Sequence, residues 1–158
     1  MNTGTKTVSA KTIGTLSSIK ILSQFIKDLS FENFSAQKHI FSSSKPEIKI
    51  DIKINTKKIT SDVFEVSLLF FIEAVQETKK VFLIELNYGC LVTILETEKE
   101  KTRHALMVQC PNLMYPFIRK IIYDLSRDGG FAPLNLDQID FENLYQSKDI
   151  TAKEKGLH

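Results

Sequence analysis

The fold is decided by the stretch QCPNLMYPFIRKIIYDLSRDGGFAPLNL, which runs from Gln109 to Leu136. Its apolar residues recur at helical spacing and form one broad stripe, made of Leu113, Met114, Phe117, Ile118, Ile121, Ile122 and Leu125. Pro116 suits the first turn of a helix, where its missing N–H costs nothing, and this places the predicted helix body from about Leu113. Gly129 and Gly130 are predicted to end the helix with a positive φ. Because the stripe is wide and carries no reactive side chain, it indicates a helix used for self-association.

Four segments before this helix predict β-strands, because their apolar residues alternate or run together. They are Ser18 to Glu32, Glu47 to Asn55, Val63 to Val75 and Val81 to Ile94. The first places Ile19, Ile21, Phe25, Leu29 and Phe31 on one parity, and the second does so with Ile48, Ile50, Ile52 and Ile54. Pro46 opens the second strand, and Gly89 predicts a bulge or a close approach in the fourth. Short polar links favour an antiparallel meander.

The remaining segments complete an α+β fold with a four-stranded antiparallel sheet, a long helix and a short C-terminal helix. The charged run Glu96 to Lys101 is predicted to be a solvated crossover that starts a short helix to Val108, and Leu136 to Tyr145 is predicted to be the C-terminal helix. We expect one domain at 18–145 between flexible tails at 1–17 and 146–158. The first tail lacks acidic residues, as organellar transit peptides do, but it also lacks arginine, so a flexible tail is the preferred interpretation.

Composition excludes several classes of function. The chain of 158 residues has 21 basic and 19 acidic residues, a balance too even to predict binding to nucleic acid or to an anionic membrane. It contains no apolar run of about 18 residues, so no direct insertion into a membrane is expected. Two cysteines in no disulfide or zinc pattern favour a reducing cytoplasm.

No catalytic constellation emerges from the sequence, so we predict neither an enzyme, nor a cofactor, nor a metal site. His39, His104 and His158 are far apart and lack ligand spacing. Cys90 and Cys110 are expected to be buried, inert thiols, although a helix N-terminus at Cys110 would lower its pKa. The DGGF segment lacks the following helix that a phosphate-binding loop requires.

Several motifs together resemble the SecB family of bacterial protein-export chaperones. They are KDLSFEN (Lys27 to Asn33), KPEIKIDI (Lys45 to Ile52), DVFEVSL (Asp62 to Leu68), VFLIEL (Val81 to Leu86) and CPNLMYPFIRKIIYDLSRDGGFAPLNLDQIDFENLY (Cys110 to Tyr145). The resemblance implies a homotetramer built as a dimer of dimers, with helices sandwiched between two eight-stranded sheets. It also implies binding of unfolded precursor proteins without ATP and delivery to the SecA motor. The chain departs from the typically acidic family in its pI of 8.5 and in a tail that lacks the usual acidic, glutamine-rich ending.

The resemblance assigns roles to particular residues. It implies SecA docking by Asp28, Glu32, Leu83 and Glu85, and client binding by Ile48, Ile50, Ile52, Phe141, Leu144 and Tyr145. The opposite parity of the fourth strand and the helical stripe suggest protomer contacts by Ile84, Leu86, Tyr88, Leu113, Phe117 and Ile121.

Alternatives stay open at this point. Periodicity alone cannot separate a client groove from plain core for the isoleucine row, and the charged positions also suit a solvated sheet face. A SecB-like holdase that serves a toxin–antitoxin pair, or general unfolded clients without SecA, is the second functional hypothesis.

Overall fold

The computed structural model describes residues 19–39 and 44–147. In chain order the elements are β1 (Ile19–Asn33), α1 (Phe34–Lys38), β2 (Glu47–Lys58), β3 (Val63–Gln76), β4 (Lys79–Ile94), α2 (Lys99–His104), a π-helical turn (Ala105–Gln109), α3 (Cys110–Asp128) and α4 (141–147). The predicted class, a four-stranded antiparallel sheet with a long helix and a short C-terminal helix, is confirmed. The predicted tail at 1–17 lies outside the described residues, as do residues 148–158 of the tail predicted at 146–158, whereas residues 146 and 147 continue α4.

The strand order is β1-β4-β3-β2, so the predicted meander is wrong for the first strand. Only β2, β3 and β4 follow one another as neighbours, and β1 pairs antiparallel with β4. The links between β2, β3 and β4 are short, but the connection from β1 to β2 spans residues 34–46 and includes α1. A connection of that length can reach across the sheet, as in a Greek key.

Strand β1 carries two bulges, and they overturn its predicted single parity. Its register against β4 shifts between Ile21 and Ser23 and again between Ile26 and Asp28, which leaves Leu22 and Lys27 as extra residues. Each extra residue reverses the faces to which the following side chains point. Phe25, between the bulges, therefore lies on the opposite face from the other four residues of its predicted set.

The helical segment runs without a break from Lys99 to Asp128, so the short helix predicted to start in Glu96 to Lys101 joins the helix predicted to start near Leu113. Pro116 consequently lies inside the helix and not in its first turn. The π-helical turn precedes Pro111, and there the N–H of Cys110 donates to the carbonyl of Ala105, five residues earlier. This wider turn relieves the clash that a proline ring makes with the preceding turn of an α-helix. A proline pattern alone therefore misplaces the helix start.

The core lies between the sheet and α3. Even-numbered residues of β3 and β4 point to the helix, and they pack with Met114, Ile118 and Ile122 of α3 and with Leu136 and Phe141 beyond it. At the end of α3, Gly130 has a φ of +88°, while Gly129 keeps a helical φ of −73°. The predicted positive φ thus holds for one glycine of the pair. None of the helices in the described part has the length and hydropathy of a membrane span.

Candidate functional site

The sheet presents two chemically different faces. The inner face is the one covered by α3, and it carries the even-numbered side chains of β2, of β3 up to Ala74 and of β4 from Phe82 onward. The outer face carries the odd-numbered side chains of the same stretches, and Asp51, Phe71 and Glu85 are exposed there. In β1 the bulge at Lys27 brings Asp28 and Glu32 to the outer face, opposite Asn87 and Leu83 of β4.

The outer face contains a hollow of about 380 Å³, which we call the outer hollow. Its side chains come from all four strands: Asp28, Asp51, Lys53, Leu69, Phe71, Glu85 and Asn87. The register arranges them in two rows across the sheet, Asp51, Phe71 and Glu85 in one and Lys53, Leu69, Asn87 and Asp28 in the other. The hollow therefore combines an apolar floor with a charged rim.

Other carboxylates of the outer face are paired. The Lys27 ammonium donates a hydrogen bond to the Glu65 carboxylate across β4. This hydrogen bond is the main reason that the pKa of Glu65 is lowered. Lys80 approaches Glu73 to 3.5 Å. Gly89 lies beneath this crossing, where an added Cβ would meet the Phe25 ring at 2.5 Å and Lys27 at 3.1 Å. The predicted close approach at Gly89 is thus confirmed, while the bulge belongs to β1.

The isoleucine row of β2 lies at an edge of the inner face. Ile48, Ile52 and Ile54 are half-buried against the core, whereas Ile50 is 45% exposed. Because β2 has a neighbour on one side only in the protomer, this row is both partly packed and accessible. The sheet edge thus offers an apolar surface without unfolding any part of the core.

A second cavity, the inner groove, lies between the β2–β3 hairpin and the start of the long helix. It measures about 660 Å³, and apolar side chains of Ile54, Phe64, Leu106 and Met107 contribute to its wall. Lys58, Lys99 and Arg103 add positive charge at its margin. The groove continues the apolar edge of β2 toward the helix.

Helix α4 is held beside α2 by the connector that precedes it. The buried Ser126 hydroxyl accepts a hydrogen bond from the N–H of Leu134 at 2.8 Å, and the Tyr115 hydroxyl donates to the carbonyl of Asp137. His104 Nε2 then lies 2.6 Å from Glu142 Oε2. These anchors fix where α4 can lie.

Sequence reasoning missed these anchors. It treated His104 as a lone histidine, because its partner is 38 residues away. No local spacing pattern joins Ser126 or Tyr115 to the connector either, so only the folded chain reveals them.

The family model described as "Preprotein translocase subunit SecB" matches residues 14–152. The chain belongs to the SecB family. Curated relatives include the protein-export protein SecB of Dinoroseobacter shibae, which is 41% identical over 135 residues that cover 82% of this chain and 77% of the relative. The corresponding protein of a Jannaschia species is 40% identical over 144 residues that cover 88% of this chain and 84% of the relative. The predicted SecB-type export chaperone is thereby confirmed.

A solved structure shares the SecB fold. It is a SecB-like chaperone of Mycobacterium tuberculosis in complex with a peptide from an antitoxin, and it superposes with a TM-score of 0.65 at 15% sequence identity. The similarity covers 77% of this chain and 90% of that one. At this identity the comparison establishes the fold.

Within this SecB-family protein, the four predicted docking residues share the outer face. Asp28 and Glu85 line the outer hollow, while Glu32 and Leu83 pair with each other nearer one end of β4. Their roles stay predictions, but the structure brings them together on one surface.

The predicted client residues divide into three groups. Phe141 is only 1% exposed, and its ring meets Tyr115 edge-on at 5.8 Å, so it is a core residue of the protomer. Leu144 and Ile50 are exposed. Ile48, Ile52 and Tyr145 are half-buried.

The predicted protomer contacts divide between core and surface. Ile84, Leu86 and Tyr88 are at most 6% exposed, because α3 of the same protomer covers the inner face. Their burial inside one chain corrects the expectation that they face another protomer. Leu113 and Phe117 are about half exposed on α3, and Ile121 is half-buried.

Both thiols are buried, as predicted, but the expected direction of the Cys110 pKa is wrong. Burial raises the pKa of Cys90 to about 11 and that of Cys110 to about 12. Cys110 does not stand at a helix N-terminus, because the helical segment already begins at Lys99. Within the described residues, no cluster of three or more His, Cys, Asp or Glu side chains could hold a metal ion.

Proposed function

We propose that this SecB-family protein binds unfolded precursor proteins in the cytoplasm without a nucleotide, keeps them competent for export and delivers them to the SecA motor. The observation that supports this proposal is the division of the sheet into an apolar inner edge and a carboxylate-bearing outer face. A chaperone that must hold a client and dock on a motor needs two such surfaces.

Client binding is assigned to the inner edge. Ile50 and Leu144 are exposed, and the inner groove adds apolar wall from Ile54, at the end of the isoleucine row. A wide apolar surface accepts many sequences, since burial of apolar area contributes about 25 cal/mol per Å² whatever the order of side chains. Native proteins bury such side chains, so unfolded clients are preferred. Phe141 supports this surface from below by packing against Tyr115.

SecA docking is assigned to the outer face at Asp28, Glu32, Leu83 and Glu85. The chain carries a net charge of +2, but this part of its surface is locally acidic and can attract a basic segment of SecA, its small zinc-carrying tail. Each exposed ion pair contributes only about 0.2–1 kcal/mol. A repeated site in an oligomer would multiply this effect by avidity.

A homotetramer, built as a dimer of dimers, is supported by the apolar side chains that the described protomer leaves exposed. Leu113 and Phe117 expose about half of their area on α3, and Leu22, Ile26 and Leu29 are exposed on β1. Long apolar edge strands favour pairing with another chain, whereas lysines protect an edge, and β2 carries Lys49, Lys53, Lys57 and Lys58. We therefore assign the junction of an eight-stranded sheet to β1 and the helix contact to α3.

Service to a toxin–antitoxin pair is the second candidate. It draws on the Mycobacterium tuberculosis chaperone, which was solved with an antitoxin peptide but is only 15% identical to this chain. The relatives at 40–41% identity are export proteins, so export is preferred. Binding to SecA separates the two.

The decisive experiment is calorimetric titration with the zinc-loaded SecA tail encoded by the same genome. Glu85→Lys and Asp28→Lys should each weaken binding, while client binding and particle size stay unchanged. Glu47→Lys is the matched control, because it makes the same charge change on the outer face of β2 away from the hollow. Binding should also weaken with salt, since exposed charges are screened beyond about 8–10 Å at physiological ionic strength. If Glu85→Lys and Asp28→Lys both bind the tail with the affinity of the parent chain, SecA docking on this face is wrong and the second candidate is favoured.

A further inference from the structure

The outer hollow extends well beyond the four assigned docking residues. In the register, Asp51 pairs with Phe71 and Phe71 pairs with Glu85, so the aromatic ring lies between two carboxylates. In the neighbouring row, Leu69 lies between Lys53 and Asn87, and Asp28 follows. Four of the seven side chains therefore come from β2 and β3, and none of these four has an assigned role.

Phe71 is conspicuous on this face because it is a large aromatic side chain left 40% exposed. Across the sheet its neighbours are Asp51 and Glu85, and it lines the outer hollow, which has a volume of about 380 Å³. That volume falls at the small end of ligand pockets, which measure about 300–1,000 Å³. The dimensions suit one long side chain of a partner.

The rim of the hollow is acidic. Within the described residues, none of Asp28, Asp51 and Glu85 takes part in a salt bridge. Elsewhere on the outer face, Glu65 and Glu73 are each paired with a lysine. Only Lys53 contributes a cation among the side chains that line the hollow. The hollow therefore presents three carboxylates that have no salt-bridge partner within the described residues.

Asn87 adds a hydrogen-bond acceptor. Its Oδ1 is shielded from solvent and has no hydrogen-bond partner in the described part of the chain, although Asn87 lines the hollow. A shielded acceptor without a partner is unfavourable, because it has lost its hydrogen bonds to water. A donor entering the hollow could satisfy it after a small rotation of the amide.

We propose that the outer hollow is a pocket for one arginine side chain of a basic partner segment, with Phe71 and Leu69 as its floor and Asp51 as a further carboxylate. Arginine fits better than lysine, because a planar guanidinium stacks on an aromatic ring and donates several hydrogen bonds in a fixed fork. The inference rests on the proposed docking of SecA and identifies how that surface selects its partner. It moves the docking surface from the β1–β4 half of the sheet across to β2.

The test uses the full chain and the zinc-loaded SecA tail peptide in calorimetric titrations at low salt. Phe71→Thr should weaken binding about fivefold, since a cation over an exposed ring contributes about 0.5–1 kcal/mol before any apolar area is counted. Asp51→Asn should weaken it about threefold and reduce the salt dependence, consistent with one exposed ion pair. A tail peptide in which each arginine is replaced by lysine should bind Phe71→Thr and the parent chain alike.

Two controls match these changes. Ile59→Thr alters a similarly exposed apolar residue in the turn after β2, and Glu47→Gln removes a carboxylate from the outer face of β2 outside the hollow. Both should keep the parent affinity for the tail. Far-UV circular dichroism and light scattering establish that every variant is folded and assembled like the parent.

The outcomes separate the two proposals. If Glu85→Lys weakens tail binding but Phe71→Thr and Asp51→Asn bind like the parent, SecA docking stands and the arginine pocket is wrong. If Glu85→Lys, Asp28→Lys and both new variants bind like the parent, docking on the outer face is wrong as well. If replacing every arginine of the tail by lysine weakens binding by the same factor for the parent chain, Phe71→Thr and Asp51→Asn, the preference for arginine lies outside this hollow.

Discussion

The glycine pair at the end of α3 allows one substitution to be compared at two adjacent positions with different physical costs. At Gly129 an added Cβ would lie 2.5 and 2.7 Å from the Phe31 ring and 3.3 Å from the carbonyl oxygen of Leu125. At Gly130 nothing lies within 4 Å of an added Cβ, but the φ of +88° is unfavourable for any side chain. Gly129→Ala therefore tests packing, and Gly130→Ala tests backbone conformation.

The two costs are similar in size but differ in origin. Overpacking a well-filled site typically costs about 1–3 kcal/mol, and the reduced freedom of the unfolded chain returns about 0.4–1 kcal/mol. We expect Gly129→Ala to lower the free energy of unfolding by about 1–2 kcal/mol. Gly130→Ala should lower it by about 1 kcal/mol, because a left-handed conformation costs a non-glycine residue about 1–2 kcal/mol before the same offset.

The Phe31 ring has little room to move away. It meets Phe82 with ring centroids 5.9 Å apart, and Phe82 meets Phe131 at 4.8 Å. The Asn33 side chain also donates to the Gly129 carbonyl at 2.8 Å, which ties the end of α3 to the end of β1. A shift of Phe31 would thus disturb its neighbour Glu32 on the docking face.

The assay is urea unfolding at one fixed protein concentration, since assembly makes the apparent stability depend on concentration. A second background, Phe31→Leu, removes the outer ring atoms that clash with the new Cβ. In that background Gly129→Ala should cost close to nothing, and the coupling should reach about 1–2 kcal/mol. Gly130→Ala should cost the same in both backgrounds. A Gly129→Ala penalty that persists with Phe31→Leu would refute the packing argument.

Three further predictions concern the surfaces and the core. Phe117→Asp should leave the protomer folded and reduce the particle size seen by light scattering, whereas Leu86→Asp should prevent folding, because it places a carboxylate at a site only 2% exposed. Ile50→Lys should weaken the binding of an unfolded client, measured by suppression of its aggregation, while titration with the SecA tail gives the parent affinity. Cys90 and Cys110 should react slowly with a thiol reagent at pH 8 until urea unfolds the chain. Burial raises the pKa of both thiols, so the stability that they contribute as neutral groups is complete below their ordinary pKa of 9.0. That stability is lost as pH rises toward about 11 to 12.

The regular parts of the fold were predictable, because they obey one period throughout. Strand β2 alternates without interruption, so the inward direction of Ile48, Ile50 and Ile52 follows from the sequence alone. Strand β1 was mispredicted at Phe25, since nothing in its composition marks Leu22 and Lys27 as extra residues. A bulge forms where a strand pairs with its neighbour, so the sequence of one strand alone does not predict its position.

The helix was predictable in its apolar body and not in its start. A proline is compatible with a first turn, but Pro116 is tolerated in the interior of this helix, after a π-helical turn before Pro111 has accommodated the first proline. The charged run from Glu96 to Lys101 indicated the start of a separate short helix, and nothing in it shows that this helix continues into the stripe from Leu113.

The candidate site was only partly predictable, because it depends on which elements cover each face and on which residues the register brings together. Parity placed Leu83 and Glu85 on one face, but it could not say that α3 of the same chain would cover Ile84 and Leu86. Phe71 was seen as one apolar residue among many in β3. Its role in the outer hollow depends on the partners that the register gives it, Asp51 on one side and Glu85 on the other.

The edge strand β2 connects the two proposed activities. Ile50 points to the client side and Asp51, the next residue, points to the outer hollow. Because β2 is paired only with β3 in the protomer, it can shift more easily than the central strands. A partner that draws Asp51 outward would change the position of Ile50, and a client packed on Ile50 would resist that change. Such coupling is reciprocal, since the factor by which the tail changes client affinity equals the factor by which the client changes tail affinity. Release of the client on docking would then require no nucleotide in the chaperone itself, because binding energy on the outer face weakens binding on the inner edge of the same strand.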